Sequence, residues 1–279
     1  MVVIAAVLLV VAACTETMTV AANFPAYFSD QKIFRDIGFG SAYGSKLDVY
    51  RPDDRLQTHP VIVFFYGGAW KSGEKSAYRF VADAFTKRGY VVVIADYVKY
   101  PRVKYPAWQD DAAKAVVWAH ENIIRYGGDA SNLFVMGHSA GAHIGAMLVT
   151  DNEYLARNGG DKSWVRAFAG LAGPYDFVPD EKDYIDMFGP PERYPLMQVA
   201  NYVDGRQPPM LLLWGKDDKT VGEVNITRLV SAIRDKGGLF KVKYYDGVDH
   251  IDIIAALTRI ERDKAPVLDD VDLWFKKYQ

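Results

Sequence analysis

A serine lies at the centre of the stretch GHSAG, residues 137–141. The apolar run LFVM precedes it, and small and apolar residues follow it. This pattern predicts a sharp turn between a buried strand and a helix, which would lift the hydroxyl of Ser139 above the sheet. Side chains at positions 137 and 141 would clash in such a turn, so both are glycine. The G-x-S-x-G motif alone leaves an ordinary glycine-rich turn open, and its setting makes Ser139 a candidate nucleophile.

A serine hydroxyl needs a neighbouring base to become nucleophilic, and the chain has five histidines. His250 lies in DGVDHIDI, directly after the last predicted strand, where ligands bind in open α/β sheets. The other four are expected on helices, at the opposite end of the sheet or with the side chain pointing away from the serine: His59, His120, His138 and His143. We therefore predict that His250 is the base, the alternative being a solvated loop histidine.

An orienting acid is the third requirement. Asp217 and Asp218 follow the apolar run MLLLWG, at the end of the preceding predicted strand. Either carboxylate could reach a histidine at the same edge of the sheet.

Alternating strands and helices must position these groups. Apolar runs predict strands at 34–40, 46–52, 61–66, 90–97, 133–137, 165–173, 210–215 and 240–245. Helical patterns are expected at about 77–88, 108–126, 140–149, 223–236, 251–261 and 268–278. The first two strands predict an antiparallel edge. The rest indicates an α/β fold with a mostly parallel, doubly wound sheet of about eight strands and helices on both faces.

One domain is expected over residues 34–279, with an irregular insertion at about 174–209. Long loops of this kind commonly shape a binding site. Aromatic and apolar residues here and after the third strand are predicted to line a substrate pocket, simple packing being the alternative: Trp70, Tyr184, Met187 and Phe188.

The first residues have a different character. Residues 2–13 are apolar without interruption and precede Cys14, the chain's only cysteine. As a helix they would span about 18 Å, less than the ~30 Å hydrocarbon core, which favours a signal peptide over a membrane span. VAAC resembles a bacterial lipobox, although no Lys or Arg precedes the apolar run. We predict lipidation at Cys14, a tether at 15–33 and a periplasmic lipoprotein. The alternative is a buried first strand and a cytoplasmic protein.

The composition argues against a nucleic-acid-binding protein and against a metalloprotein. The formal net charge is −2 and the 33 Lys and Arg residues are scattered, so no nucleic-acid surface is indicated. No cluster of His and Cys suggests a metal, and we expect no cofactor.

The motifs LDVYRP, YGGAW with Gly73, ADYVKYP with YPAWQDD, YGGD, GHSAG and LAGPYDF occur in this order. Together they resemble the esterase/lipase group of the α/β-hydrolases, related to hormone-sensitive lipase and the BD-FAE esterases, from about residue 35 onward. The spacing of Gly215, Asp218 and Val221 is similar to the family's G-x-x-D-x-x-V stretch, which favours Asp218 as the acid. The chain order serine, aspartate, histidine is also the order of this family.

The resemblance also implies an oxyanion hole. FFYGGAWKSG (64–73) is similar to the H-G-G-G segment of these hydrolases, so the backbone N–H groups of Gly68 and Ala69, together with Ala140, are expected to bind the oxyanion. Tyr66 stands where the family usually has histidine, a residue that supports the loop.

The function implied is a serine carboxylesterase acting on short to medium esters, because the insertion is too short for a large lid. Kynurenine formamidases share much of this pattern, so an arylformamidase is the alternative. A non-catalytic binding protein on the same fold is a third reading, disfavoured because no triad residue is missing.

Overall fold

A single mixed sheet organises the protein. The computed structural model describes residues 20–54 and 58–279. The strands within these ranges are β1 (Gln31–Gly38), β2 (Lys46–Pro52), β3 (His59–Phe65), β4 (Val91–Ala95), β5 (Gly128–His138), β6 (Val165–Leu171), β7 (Met210–Gly215) and β8 (Phe240–Tyr245). Their order is β1-β2-β4-β3-β5-β6-β7-β8. β2 pairs antiparallel with β1 and β4, and the other neighbours are parallel. The predicted fold class and its antiparallel edge are confirmed.

The central strands are buried because helices cover both faces of the sheet. β4 is buried at every residue, and β7 likewise, as continuous apolar runs require in a parallel sheet. The edge strands β1 and β8 are largely half-buried or exposed. Their greater polarity therefore reflects their place at the two ends of the sheet.

Eight α-helices follow β2 along the described part of the chain. They are α1 (Arg79–Thr86), α2 (Ala107–Asn122), α3 (Ala140–Thr150), α4 (Asn152–Ala156), α5 (Lys182–Phe188), α6 (Val224–Asp235), α7 (Asp252–Ala255) and α8 (Val267–Lys277). α1 contacts α8, whereas α2 contacts α3 and α4. None of these helices is both long and apolar enough to cross a membrane, as judged over residues 20–54 and 58–279.

Two segments differ from the sequence-based expectation. The predicted helix at 251–261 is helical only at Asp252–Ala255. The Thr258 hydroxyl accepts the N–H of Glu261 at 3.0 Å, a local side-chain bond that replaces the helical pattern. The insertion, predicted as irregular, contains α5 and two 3₁₀ segments, Pro191–Met197 and Val199–Tyr202.

The segment predicted as a tether is attached to the domain over its described part. A 3₁₀ turn covers Phe24–Phe28, and the Asn23 side chain donates to Ala77 O and accepts from Phe80 N. β1 begins at Gln31, so the fold begins before residue 34. The predicted signal peptide (1–14) and its lipidation site Cys14 lie outside the described residues.

Candidate active site

Ser139 occupies a strained turn between β5 and α3. Its backbone has φ 52° and ψ −124°, a region that costs a non-glycine residue about 1–3 kcal/mol. Hydrogen bonds hold this conformation: Ser139 N donates to Leu171 O at 2.9 Å, and Ser139 O accepts from the backbone N–H groups of Ala142 and His143. The half-buried side chain lies at the N-terminus of α3, whose dipole favours negative charge there.

The flanking glycines are required by close backbone approach. A Cβ at Gly137 would lie 2.3 Å from Gly141 O, and a Cβ at Gly141 would lie 2.1 Å from Phe65 O. Both distances are far below van der Waals contact. The turn therefore has the geometry predicted for GHSAG.

Three side chains from the ends of β5, β7 and β8 meet at one point. His250 Nε2 lies 2.9 Å from Ser139 Oγ, and His250 Nδ1 lies 2.8 Å from Asp218 Oδ2. His250 is 8% exposed and Asp218 is 4% exposed. The structure thus brings together the three residues that the sequence selected, although they are separated by up to 111 positions in the chain.

Asp218 is held as an ionised acceptor. Its Oδ1 accepts the N–H groups of Thr220 and Val221, each at 2.8 Å. Burial favours the neutral carboxyl, but the hydrogen bonds from His250 and these backbone groups outweigh it and hold the pKa of Asp218 below its ordinary value of 3.8. The carboxylate fixes the proton of His250 on Nδ1, which leaves the Nε2 lone pair facing the Ser139 hydroxyl. The neighbouring Asp217 is exposed.

The loop after β3 presents unpaired backbone N–H groups beside Ser139. Gly68, Ala69 and Trp70 have φ of 127°, 52° and 57°, and the N–H groups of Lys71 and Ser72 close the loop on Gly68 O. Within the described part of the chain, the N–H groups of Gly68 and Ala69 donate no hydrogen bond. The N–H of Ala140, the first residue of α3, has no intrahelical acceptor. These are the three donors expected for an oxyanion hole.

Tyr66 supports this loop through hydrogen bonds with the residues that follow β4. Its hydroxyl donates to Asp96 Oδ1 at 2.6 Å, the atom that also accepts Lys75 N, and Tyr97 donates to Tyr66 O at 3.0 Å. The Tyr66 ring stacks between those of Tyr78 and Tyr97. Burial, together with Tyr97 and Asp96, raises the pKa of Tyr66 far above its ordinary value, so its hydroxyl stays a donor. A tyrosine thus makes a supporting bond where the family usually has histidine.

Tyr66→Phe is expected to lower the free energy of unfolding by about 1–3 kcal/mol, because Asp96 loses a bond to a buried donor. We expect kcat to fall by up to about tenfold if the loosened loop supplies one oxyanion donor less effectively. Tyr78→Phe is the matched control, since the Tyr78 hydroxyl makes no hydrogen bond in the described ranges. If the two variants had the same free energy of unfolding in urea and the same kcat for esters, the hydrogen bond from Tyr66 to Asp96 would not support the loop.

A cleft of about 490 Å³ opens beside Ser139. Its wall includes Trp70 and Tyr184, as predicted, and Ala69, Ser139 and Ala140 of the site. The other wall residues were not predicted from the sequence: Pro174, Phe177, Val178, Pro179, Asp180, Glu181, Lys219, Thr220, Val221, Gly222 and Asn225. Phe177 lies in the LAGPYDF motif, which would have been the signal. No group of three or more His, Cys, Asp or Glu side chains in the described ranges could hold a metal ion.

Met187 and Phe188 do not line this cleft, which corrects their predicted role. Both are essentially fully buried. Phe188 packs edge-on against Trp70 at a centroid distance of 5.0 Å, and Met187 O accepts Tyr105 N. They lie behind the wall because α5 turns its apolar side toward the core. Phe188 thus supports Trp70, whereas Met187 holds the backbone of Tyr105.

Two buried histidines near the site make stability depend on pH. Burial, with a smaller effect of His250, lowers the pKa of His138 to about 3, and burial lowers the pKa of His143 to about 4. Both therefore stay neutral in the folded protein, whereas the unfolded chain binds protons below about pH 6.5. Their contribution is fully present above pH 6.5 and is lost as the pH falls toward 4 and 3.

We expect the free energy of unfolding to fall by about 1 kcal/mol per pH unit for each histidine between pH 6 and 4.5. Urea unfolding at several pH values measures this dependence. In a plot of the free energy of unfolding against pH, the slope for His143→Phe should be about half that of the wild type. A wild-type stability unchanged between pH 7 and 4.5 would contradict the neutral, buried state of these histidines.

The eight-stranded sheet, the strained serine turn after β5 and the Ser139, His250 and Asp218 side chains at its edge define a protein of the α/β-hydrolase fold. The BD-FAE family model matches residues 47–232, so the chain belongs to the BD-FAE family. The family resemblance seen in the motifs is thereby confirmed.

Curated relatives named as esterases agree with this assignment, and a solved structure shares the fold. The chain is 27% identical over 254 residues to a probable isoprenylcysteine alpha-carbonyl methylesterase of Arabidopsis thaliana, covering 81% of this chain and 52% of the relative. It is 30% identical over 210 residues to esterase LipQ of Mycobacterium tuberculosis, covering 68% and 50%. The chain thus spans about half the length of these relatives. A hyperthermophilic esterase from Pyrobaculum calidifontis shares the fold, with a TM-score of 0.79 at 20% identity, covering 96% of this chain and 92% of that one.

Proposed function

We propose that the protein is a serine carboxylesterase that hydrolyses short to medium carboxylic esters through an acyl-enzyme. The observation that carries the proposal is the hydrogen-bonded line from Ser139 Oγ through the His250 imidazole to Asp218, with distances of 2.9 and 2.8 Å, at the edge of a cleft. This arrangement supplies a nucleophile, a base and an orienting acid in one place.

Acylation begins when Ser139 Oγ attacks the ester carbonyl carbon and its proton passes to His250 Nε2. The carbonyl oxygen becomes an oxyanion, which accepts hydrogen bonds from the N–H groups of Gly68, Ala69 and Ala140. The tetrahedral intermediate then collapses, the bond to the alcohol oxygen breaks, and His250 returns the proton to the leaving alcohol. Asp218 stays ionised and stabilises the imidazolium.

Deacylation repeats these steps with water. His250 removes a proton from a water molecule, which attacks the acyl carbon of the Ser139 ester. The same backbone donors bind the second oxyanion. Collapse breaks the bond to Ser139 Oγ, which takes the proton from His250, and the carboxylic acid leaves. Every proton that enters His250 leaves it within the cycle.

The cleft favours a modest acyl group. About 490 Å³ suits a small ligand, and the aromatic wall of Trp70, Phe177 and Tyr184 offers apolar contact. Trp70 itself is fixed from several sides, stacking on Phe177 and meeting Phe188 edge-on, so the wall is rigid. We therefore expect acetate and butyrate esters to be better substrates than palmitate esters.

A substrate panel tests the proposal: p-nitrophenyl acetate, butyrate and palmitate, a prenylcysteine methyl ester and N-formylkynurenine. We expect kcat/KM for butyrate to exceed that for palmitate by at least about tenfold, a preference of 1.4 kcal/mol. The prenylcysteine ester tests the activity for which the plant relative is named. A strong preference for N-formylkynurenine would instead support the arylformamidase. Turnover of none of them would refute a hydrolase of this type and favour a binding protein.

We also propose, from residues 2–14 alone, that the protein is exported and lipidated at Cys14. An uninterrupted apolar run before VAAC supports this. Expression of the full chain in a bacterium with an alkyne-tagged fatty acid tests it, with Cys14→Ser as control. Label on the wild type alone is the expected result, whereas equal or absent labelling of both would refute lipidation.

A further inference from the structure

We propose that His138 is a positioning residue for His250: its Nε2–H holds the backbone carbonyl of His250 and so keeps that imidazole aligned between Ser139 and Asp218. The inference rests on the proposed function. It concerns a second histidine beside the nucleophile, whose side chain takes no part in the proton transfers described above.

The bond is direct and buried. His138 is the last residue of β5 and is 3% exposed. Its Nε2 lies 3.0 Å from His250 O, and because a carbonyl can only accept, Nε2 carries the proton. The two imidazole rings also lie close together, with centroids 5.0 Å apart and planes inclined by 40°. His138 therefore contacts both the main chain and the ring of His250.

The imidazole of His138 has little room to move. Its Nδ1 is buried and has no hydrogen-bond partner in the described part of the chain. On that side it packs against Gly67, where a Cβ would lie 3.0 Å from both His138 Nδ1 and Ser139 Cβ. The side chain is thus confined between the loop that presents the oxyanion donors and the loop that carries His250. A displacement of His138 would disturb both.

The loop that carries His250 needs such a contact. It connects β8 to α7, and on either side of His250 the residues Asp249 and Ile251 are exposed. The main chain of this loop is also held at Val248 O, which accepts the N–H of Asp217, in the loop after β7, at 3.0 Å. Small shifts of a reacting group are costly, since a displacement of about 1 Å can lower a rate by about a hundredfold. The bond from His138 fixes the carbonyl of His250 itself, and therefore the peptide unit that joins His250 to Ile251.

A pair of nearly isosteric variants tests the inference. His138→Met removes the donor, whereas His138→Gln keeps an N–H group near the original Nε2. We expect kcat of His138→Met to fall about 10- to 100-fold with KM changed by less than about twofold, because the alignment of the base rather than substrate binding is lost. His138→Gln should recover kcat to within about threefold of the wild type.

His59→Met is the matched control. His59 is also buried, and its Nδ1–H donates to Gly89 O at 2.9 Å, but it lies at the start of β3, at the other end of the sheet. We expect it to lose stability without losing kcat. Wild-type kcat in folded His138→Met, or a loss in His138→Gln as large as in His138→Met, would overturn the proposal. An inert wild type would instead refute the proposed esterase function, so the two failures are distinguishable.

Discussion

Ser139→Ala is expected to lower kcat for p-nitrophenyl butyrate by about a million-fold, because the variant has no oxygen to form the acyl-enzyme. Ester hydrolysis would then proceed only by direct attack of water in the oxyanion hole, which accounts for about 10³–10⁴ over the uncatalysed rate. The expected KM is nearly unchanged, since the cleft wall and the backbone donors stay in place. Initial rates at saturating ester, measured with highly purified protein, determine the effect.

The fold of Ser139→Ala should be retained. The backbone at residue 139 is strained by its φ of 52° whether the side chain is serine or alanine, and the bond from its N–H to Leu171 O does not involve the hydroxyl. The urea midpoint therefore serves as a control and should be close to that of the wild type. Retention of more than about 1% of wild-type kcat in a folded variant would exclude Ser139 as the nucleophile.

Asp218→Asn is expected to lower kcat by about ten-thousand-fold. An amide in place of the carboxylate can present an N–H group to His250 Nδ1, which fixes the imidazole proton on Nε2 and removes the acceptor that Ser139 Oγ needs. The size and shape of the side chain are unchanged, so KM should change little. The measurement is again kcat at saturating ester.

Asp217→Asn is the matched control for this prediction. Asp217 is also an aspartate and lies one residue earlier, but its side chain is exposed. It makes no hydrogen bond to a group of the site within the described ranges. We expect its kcat within about twofold of the wild type, because an exposed charge has little effect. If Asp217→Asn were the more damaging change, the assignment of the acid would be wrong.

The sequence was informative about the sheet because its central strands are continuous apolar runs. Continuous apolar runs such as VIVFF and VVVIA are typical of strands that helices cover on both faces, and turn residues mark where each strand ends. The end of a parallel strand then places the following residue at a defined edge, which is why the GHSAG motif and the order of elements could select Ser139 and His250. The choice of Asp218 over Asp217 needed the family resemblance as well.

Side-chain direction on short helices was less predictable. Met187 and Phe188 were expected in the pocket, but α5 is a seven-residue helix in the insertion, and its rotation is set by packing against Trp70 and Tyr105. A helix of this length is too short for its hydrophobic periodicity to predict which face turns toward the core. The contact between His138 and the carbonyl of His250 was also missed. The sequence indicated that the His138 side chain points away from Ser139, but no motif indicates which backbone group it meets there.

The account depends on Ser139 being a uniquely activated hydroxyl, and intact-protein mass spectrometry after treatment with a fluorophosphonate tests this most directly. We expect the wild type to gain one phosphonyl group, located on Ser139 by peptide mapping, and both Ser139→Ala and His250→Ala to remain unlabelled over the same time. An unlabelled wild type, or an adduct on any other residue, would contradict the account.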